Sequence, residues 1–419
     1  MNGWSITLEE RIYLRDLAKK QREYSALPIM KRREMLWYKH NDLQGERPMI
    51  YFETWTFEND LLSLPICKSS AGKAIELNLK REMLNHELID DDKVVSDSYH
   101  IDWNTDMLLF DLKIEEEHAT DAHGGNLGFH IKSPITDLKK DMHLLKKTTY
   151  GVDREAVLIW KGFVEEVLGD ILPVKFVGSS LGSSITQHLV RLMGMEKMLY
   201  SLIDYPNEFH EVMDRISDDY ISYYKWMEKE KLLLLNNGNN WLGQGSFGFT
   251  HDLPSKNNIA SQDLKLTDLW CFLESQETLG VSPKMFNEFF FPYYLKVANE
   301  FGLLSYGCCE PVHAYWEKSL SKLPRLRKIS ISPWCNEEYM GEVLKGSSTI
   351  YHRKPSPNFV GVGKDLDEVA FREHILKTLK ATKGCKVEFS FRDIYNLEGN
   401  IGKPRRAVQI IREELENNW

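Results

Sequence analysis

The sequence predicts an α/β protein, a single (β/α)8 barrel of TIM type with a large insertion capping its C-terminal face. Three observations predict it. Short runs of Val, Ile, Leu, Phe and Tyr recur along the chain without clean alternation, as strands buried on both faces do. Helix-like stretches separate these runs through the second half, the pattern of a parallel sheet, and eight runs are enough to close one. The residues just past the runs are mostly carboxylates, thiols, amides and cations, and a barrel builds its site from the loops that follow its strands.

The elements follow in order. Residues 1–47 are read as N-terminal helices. Met1 to Tyr24 is charged and amphipathic and lacks the apolar run of a secretion signal, which points to the cytoplasm. The first strand is PMIYFE (48–53). Residues 54–172 are assigned to the insertion between the first and second strands. It carries an antiparallel strand at Met107–Ile114 and a Gly-rich loop, His123-Gly124-Gly125-Asn126. The remaining strands are PVKFVG (173–178), KLLLLN (231–236), LWCFLE (269–274), GLLSYG (302–307), KISISP (328–333), STIYHR (348–353) and KVEFSF (386–391). Helices are expected over 183–204, over 207–230 after the break at Tyr205-Pro206, and over 283–301 after a Ser-Pro start. No linker or repeat divides the chain, so 1–419 is one domain.

Bulk properties exclude some classes. A net charge of −9 disfavours a phosphate backbone, so nucleic acid is not expected. The most apolar stretch, near 231–235, is far too short to span a bilayer. Six cysteines, scattered except for Cys308-Cys309, make no disulfide framework and fit a reducing compartment. The aromatic residues could enclose a flat ligand or simply fill a core. A second copy of the chain, in a homodimer, is an allowed partner.

Strand ends supply the candidate site. Glu53 and Trp55 follow the first run, Asn237 the third, Gln276 and Glu277 the fourth, and Cys308, Cys309 and Glu310 the fifth. Trp334, Lys354 and Asp393 follow the last three. Two thiols and a carboxylate near Glu277 could hold a soft divalent ion such as zinc. Adjacent strand residues point to opposite faces, so one sulfur would face the site. The alternative is a pair of buried structural thiols. Glu277 could be a general acid or base, a metal ligand, or a turn cap. Asp121 to Asn126 nearly spells a cobalamin-ligating loop but lacks its final glycine, and reads as a solvated loop. Gly178 to Ser184 could bind an anion through backbone amides but lacks the Lys of a P-loop.

The run DLWCFLESQETLGVSPKMFNEFFFPYYLKVANEFGLLSYGCCEPVH (268–313), together with LRKISISPWCNEEYMGEVL, YHRKPSP and the N-terminal KRREMLWYKHNDLQGERPMIYFETW, resembles a branch of the uroporphyrinogen decarboxylase-like superfamily. The resemblance implies a (β/α)8 barrel and one of two reactions, cofactor-free decarboxylation or zinc-dependent methyl transfer with a corrinoid protein. The decarboxylases carry an Arg-rich segment where this chain has Phe52-Glu53-Thr54-Trp55. The methyltransferases place His-x-Cys where this chain has Tyr306-Gly307-Cys308, and a further Cys where it has Arg392-Asp393. The resemblance thus implies a corrinoid-linked methyltransferase acting on a methylated small molecule or a methyl-corrinoid protein. Zinc would sit on Cys308 or Cys309 and Glu277, with Glu310 and Asp393 beside it and a partner protein supplying the corrinoid. Glu53, Trp55, Asn237, Gln276, Trp334 and Lys354 would bind substrate. The alternatives are a metal-free decarboxylase or lyase, with Glu277 or Asp393 handling protons and Lys354 or Arg392 holding a carboxylate, and a tetrapyrrole-binding protein.

Overall fold

The structure, a computed structural model, describes residues 4–120, 126–254 and 263–419. Its frame is one parallel sheet of seven strands: β1 (Met49–Phe52), β2 (Leu181–Ser183), β3 (Trp270–Leu273), β4 (Leu303–Tyr306), β5 (Leu326–Ile331), β6 (Ile350–Arg353) and β7 (Val387–Phe391). They lie in the order β1-β7-β6-β5-β4-β3-β2, every neighbouring pair parallel. This is the strand order of a TIM-type wall, though no ladder joins β1 to β2 among the described residues.

Two of the eight runs depart from expectation. The run at 173–178 contains the strand Val174–Phe176, but it pairs with Tyr99–Ile101 in a separate two-stranded sheet. The run at 231–236 forms no strand, and the short Leu181–Ser183 takes its place beside β3. The free edge of β1 explains the missing closure. Ile50 N–H donates to Asp92 Oδ2 at 2.9 Å and Phe52 N–H to Asp91 Oδ2 at 2.8 Å, while Asp92 N–H returns a bond to Ile50 O. Buried backbone donors need partners, and here carboxylates supply what another strand would. Arg47 grips Asp92 with two bonds of 2.7 and 2.8 Å.

Side chains alternate along each strand, one face towards the helices and the other into the hollow of the sheet. The outer set, including Ile50, Phe52, Leu304, Ile329, Tyr351 and Phe389, belongs to the main apolar core. The inner set is polar: Lys328, Ser330, His352, Glu388 and Ser390 are all buried. Polar groups survive there because a hairpin fills the hollow. Trp241 and Phe247 form an antiparallel bridge, and Leu242 N–H bonds Ser246 O across the turn Gly243-Gln244-Gly245. Lys328 Nζ donates to Ser246 Oγ (2.6 Å) and Glu388 Oε2 (2.8 Å), and Ser390 Oγ donates to Gly245 O. Burial works against the Glu388 charge, but Lys328 and the hydrogen bond to His40 hold its carboxyl well below the usual range. Burial pushes His352 down to about 3. It is therefore neutral, and its Nε2 lies 2.7 Å from Ser390 Oγ.

Within 54–172, Asp91 and Asp92 lie along the free edge of β1. The Ser70–Leu84 and Arg154–Leu168 helices share a second core with the N-terminal Leu8–Ser25 helix. The strand expected within 107–114 is Asp106–Leu108, antiparallel to Thr149–Gly151. Leu109, Phe110, Ile135, Leu138 and Leu145 join the main core. Of the loop at 123–126, residues 123–125 lie outside the described residues. The helix expected over 183–204 is two, Ile185–Met193 and Met195–Asp204, split at Gly194 with φ 78°. No helix among the described residues is long and apolar enough to cross a membrane.

The hairpin fixes a test. Gly243 (φ 84°) and Gly280 (φ 91°) are both left-handed, but a Cβ at Gly243 would sit 2.9 Å from the Phe272 ring while one at Gly280 meets nothing. Both Gly→Ala changes cost about 1–2 kcal/mol of backbone strain. Gly243→Ala should add about 1–3 kcal/mol of overpacking, read as a lower urea midpoint.

Candidate functional site

The site is the next pleat of the inner face. Two residues beyond Tyr51, Ser390, His352 and Phe272 come Glu53, Arg392, Lys354 and Glu274. The ladder continues this far, because Glu53 N–H bonds Phe391 O and Lys354 N–H bonds Ile331 O. After β4, Gly307 turns with φ 102° and presents Cys308, Cys309 and Glu310.

One wall is cationic. Lys354 Nζ, almost fully buried, donates to Cys308 O at 2.8 Å and to Gln244 Oε1 at 3.1 Å. Arg392 reaches Glu53 through Nη2 (3.4 Å) and Asp393 through Nε (3.3 Å), while its buried Nη1 has no partner. Glu53 also accepts the indole N–H groups of Trp55 (2.6 Å) and Trp241 (3.2 Å). Both rings are thereby anchored by their polar edges, and they remain 61% and 43% exposed. Trp334 stands exposed at the end of β5.

The other wall is acidic. Glu310 bridges two strand ends, accepting Ser275 N–H on Oε1 (2.9 Å) and Cys308 N–H on Oε2 (2.7 Å). Glu277 accepts the Thr186 hydroxyl at 2.8 Å, and its carboxyl is raised chiefly by burial. Burial raises Glu274 further, to about 8, with the charges of Glu277 and Glu310 adding to it. Tyr306, where the resemblance implies His, points outwards, and its hydroxyl lies 2.6 Å from Ser275 Oγ.

Between the walls lie the thiols. Cys308 Sγ donates to Cys309 Sγ at 3.7 Å, and Cys309 Sγ lies 3.4 Å from Asp393 Oδ2. That bond from Cys308 lowers the half-buried Cys309 thiol, and Lys354 and Arg392 assist. The same bond, with burial, raises Cys308.

The structure therefore brings Glu53, Trp55, Glu277, Cys308, Cys309, Glu310, Lys354 and Asp393 to one end of the sheet. Asn237 lies elsewhere. Its Nδ2 donates to Leu253 O (2.6 Å), and its neighbour Asn236 bonds Trp270 at the start of β3, the opposite end of the strand. The reason is that 231–236 is not a strand of the sheet. Gln276 uses its backbone N–H to hold the Glu274 carboxyl, and its side chain is exposed. The zinc set of Cys308, Cys309 and Glu277 does not assemble. Among the described residues no three His, Cys, Asp or Glu side chains are placed to share one ion. Absent from the expected site are Trp241 and Gln244, which arrive on the hairpin; Arg392, an expected carboxylate holder, and Glu274, expected with Glu277 at the end of its strand, both lie at this end of the sheet.

No protein-family model and no curated protein matches the chain. A solved structure, a methyltransferase from Methanosarcina mazei, is similar over 90% of this chain and 98% of its own, at 12% identity and a TM-score of 0.49. That likeness is too slight to decide fold or reaction, which rest on the geometry above. A cleft of about 610 Å³ elsewhere is lined by Arg33, Arg47 and Arg412, but Asp90 and Asp92 already pair with all three.

The bridging role of Glu310 is open to measurement. Glu310→Ala leaves two buried N–H groups unpaired, each costing about 1–3 kcal/mol. The urea midpoint should fall accordingly; a midpoint equal to the wild type would remove the brace.

Proposed function

We propose that the chain is an enzyme running metal-independent acid–base chemistry on a small carboxylated molecule, as a decarboxylase or related lyase. One observation carries the reading. Glu274, inward-facing just past β3, keeps its proton to about pH 8 beside Glu277 and Glu310, and cations form the facing wall. A neutral carboxylic acid at pH 7 is a competent proton donor, and perturbed carboxyls of this kind favour catalytic sites.

The steps follow from the residues. Arg392 orients the substrate carboxylate. The bond from that carboxylate to the adjacent carbon breaks, carbon dioxide leaves, and the electron pair stays on carbon. Glu274 gives its proton to that carbon and becomes a carboxylate, which regains a proton from water. The charges of Glu277 and Glu310 disfavour the ionised state of Glu274, so reprotonation is favourable.

A second reading, methyl transfer from a corrinoid held by a partner protein, draws support from Cys309. A half-buried thiol lowered by its neighbour Cys308 is a suitable methyl acceptor. No step of either reading is routed through zinc, for which the described residues provide no ligand group.

A panel of small carboxylic acids assayed for released carbon dioxide tests the proposal. Turnover should survive a chelator, fall by about 10²–10⁴-fold in Glu274→Gln, and decline as pH rises through about 8, where the acid form is lost. Chelator-sensitive methyl transfer that Glu274→Gln retains and Cys309→Ser loses would overturn it.

A further inference from the structure

Building on that reading, we infer that Gln244 and Arg392 form a two-pronged subsite for the single carboxylate of a planar aromatic acid, whose ring lies against Trp55 and Trp241. The argument starts from the orphan. Arg392 is nine-tenths buried, two of its nitrogens are engaged by Glu53 and Asp393, and Nη1 has no partner. A buried guanidinium N–H left unpaired is costly, and an oxyanion is its natural complement.

The second prong comes from the hairpin. Gln244 stands between two glycines with φ 54°, a left-handed conformation that an L-residue adopts at a cost. Its Oε1 is taken by Lys354, so the amide nitrogen is left to donate. Lys354 donates to Gln244 Oε1 and to Cys308 O, which makes it a positioning residue for Gln244.

The neighbouring groups set the substrate class. Glu53 and Asp393 both pair with Arg392, so the subsite accepts one carboxylate by directed hydrogen bonds and disfavours a second. The two indoles, tied by N–H to one carboxylate, hold their exposed rings in fixed positions. Flat surfaces anchored in this way complement a flat ligand at low entropic cost.

The test is equilibrium binding of 2-naphthoate to the full chain at pH 7, read by tryptophan fluorescence and calorimetry. Gln244→Ala should weaken binding about tenfold or more, and Gln244→Glu further; Gln244→Ala also takes an acceptor from buried Lys354 and lowers the unfolding temperature, whereas Gln244→Glu keeps that acceptor and so separates binding from stability. Gln244→Asn, shorter by one methylene, should recover part of the loss. Three probes should each bind about tenfold or more weakly: 2-naphthalenemethanol, which lacks the charge; decanoate, which lacks the plane; and naphthalene-2,6-dicarboxylate, which adds a second charge. Equal affinity for naphthoate and its alcohol, or unchanged affinity in Gln244→Ala, overturns the inference. Binding is read without turnover, so such a failure leaves the acid–base reading standing. Loss of that reading through Glu274→Gln kinetics would leave the subsite standing.

Discussion

Lys328 and Glu388 face each other inside the hollow of the sheet, fully buried, 2.8 Å apart, and most of the architecture answers to that pair. Two charges taken out of water are tolerable only when their remaining bonds are filled. Ser246 fills one for Lys328 and His40 one for Glu388, while Ser390 gives its proton to Gly245; Glu388 Oε1 makes no hydrogen bond and lies 3.4 Å from His352 Nδ1. The hairpin is thus held by the charges it satisfies. Its glycines follow from the same constraint, since Gly243 and Gly245 lie against Phe272 and Ser390 with no space for a Cβ.

The mouth inherits its form from this plug. Trp241 stands on the first arm of the hairpin and Gln244 at its turn, so the carboxylate of Glu53 and the ammonium of Lys354 each find a partner on the hairpin. Cations and paired carboxylates therefore collect on one wall. On the other, Glu310 spends its charge on bracing two strand ends, and Glu274 stays protonated beside it. Two carboxylates thus serve opposite purposes, one as an ionised structural acceptor and one as a neutral donor.

Much of this was legible in the residues. Six runs lie in the sheet, because β-rich segments before polar loops leave few other options, and the strand ends do carry the site. The runs at 173–178 and 231–236 have the same composition as true staves, and nothing local distinguishes them. What excludes them is pairing elsewhere, Val174–Phe176 with Tyr99–Ile101 and Leu181–Ser183 in the place beside β3, long-range choices that composition does not encode. Asn237 was misplaced for that reason alone. Leu181-Gly-Ser carries no β signal, and its pairing with β3 comes from tertiary context. Gly243 to Gly248 reads as a surface turn, so Gln244 gave no hint of its place at the mouth. Adjacent cysteines suggested a metal, yet their sulfurs engage each other and Asp393.

The hairpin's place inside the sheet is what the site depends on, and amide hydrogen exchange reports it directly. Leu242 N–H bonds Ser246 O and Gly248 N–H bonds Asn240 O, and both residues are buried. Their exchange should be as slow as that of β5 and β7, and Lys328→Met should speed it across 242–248 before the strands respond. Exchange of 242–248 at the rate of an exposed loop in the wild-type chain would contradict the account.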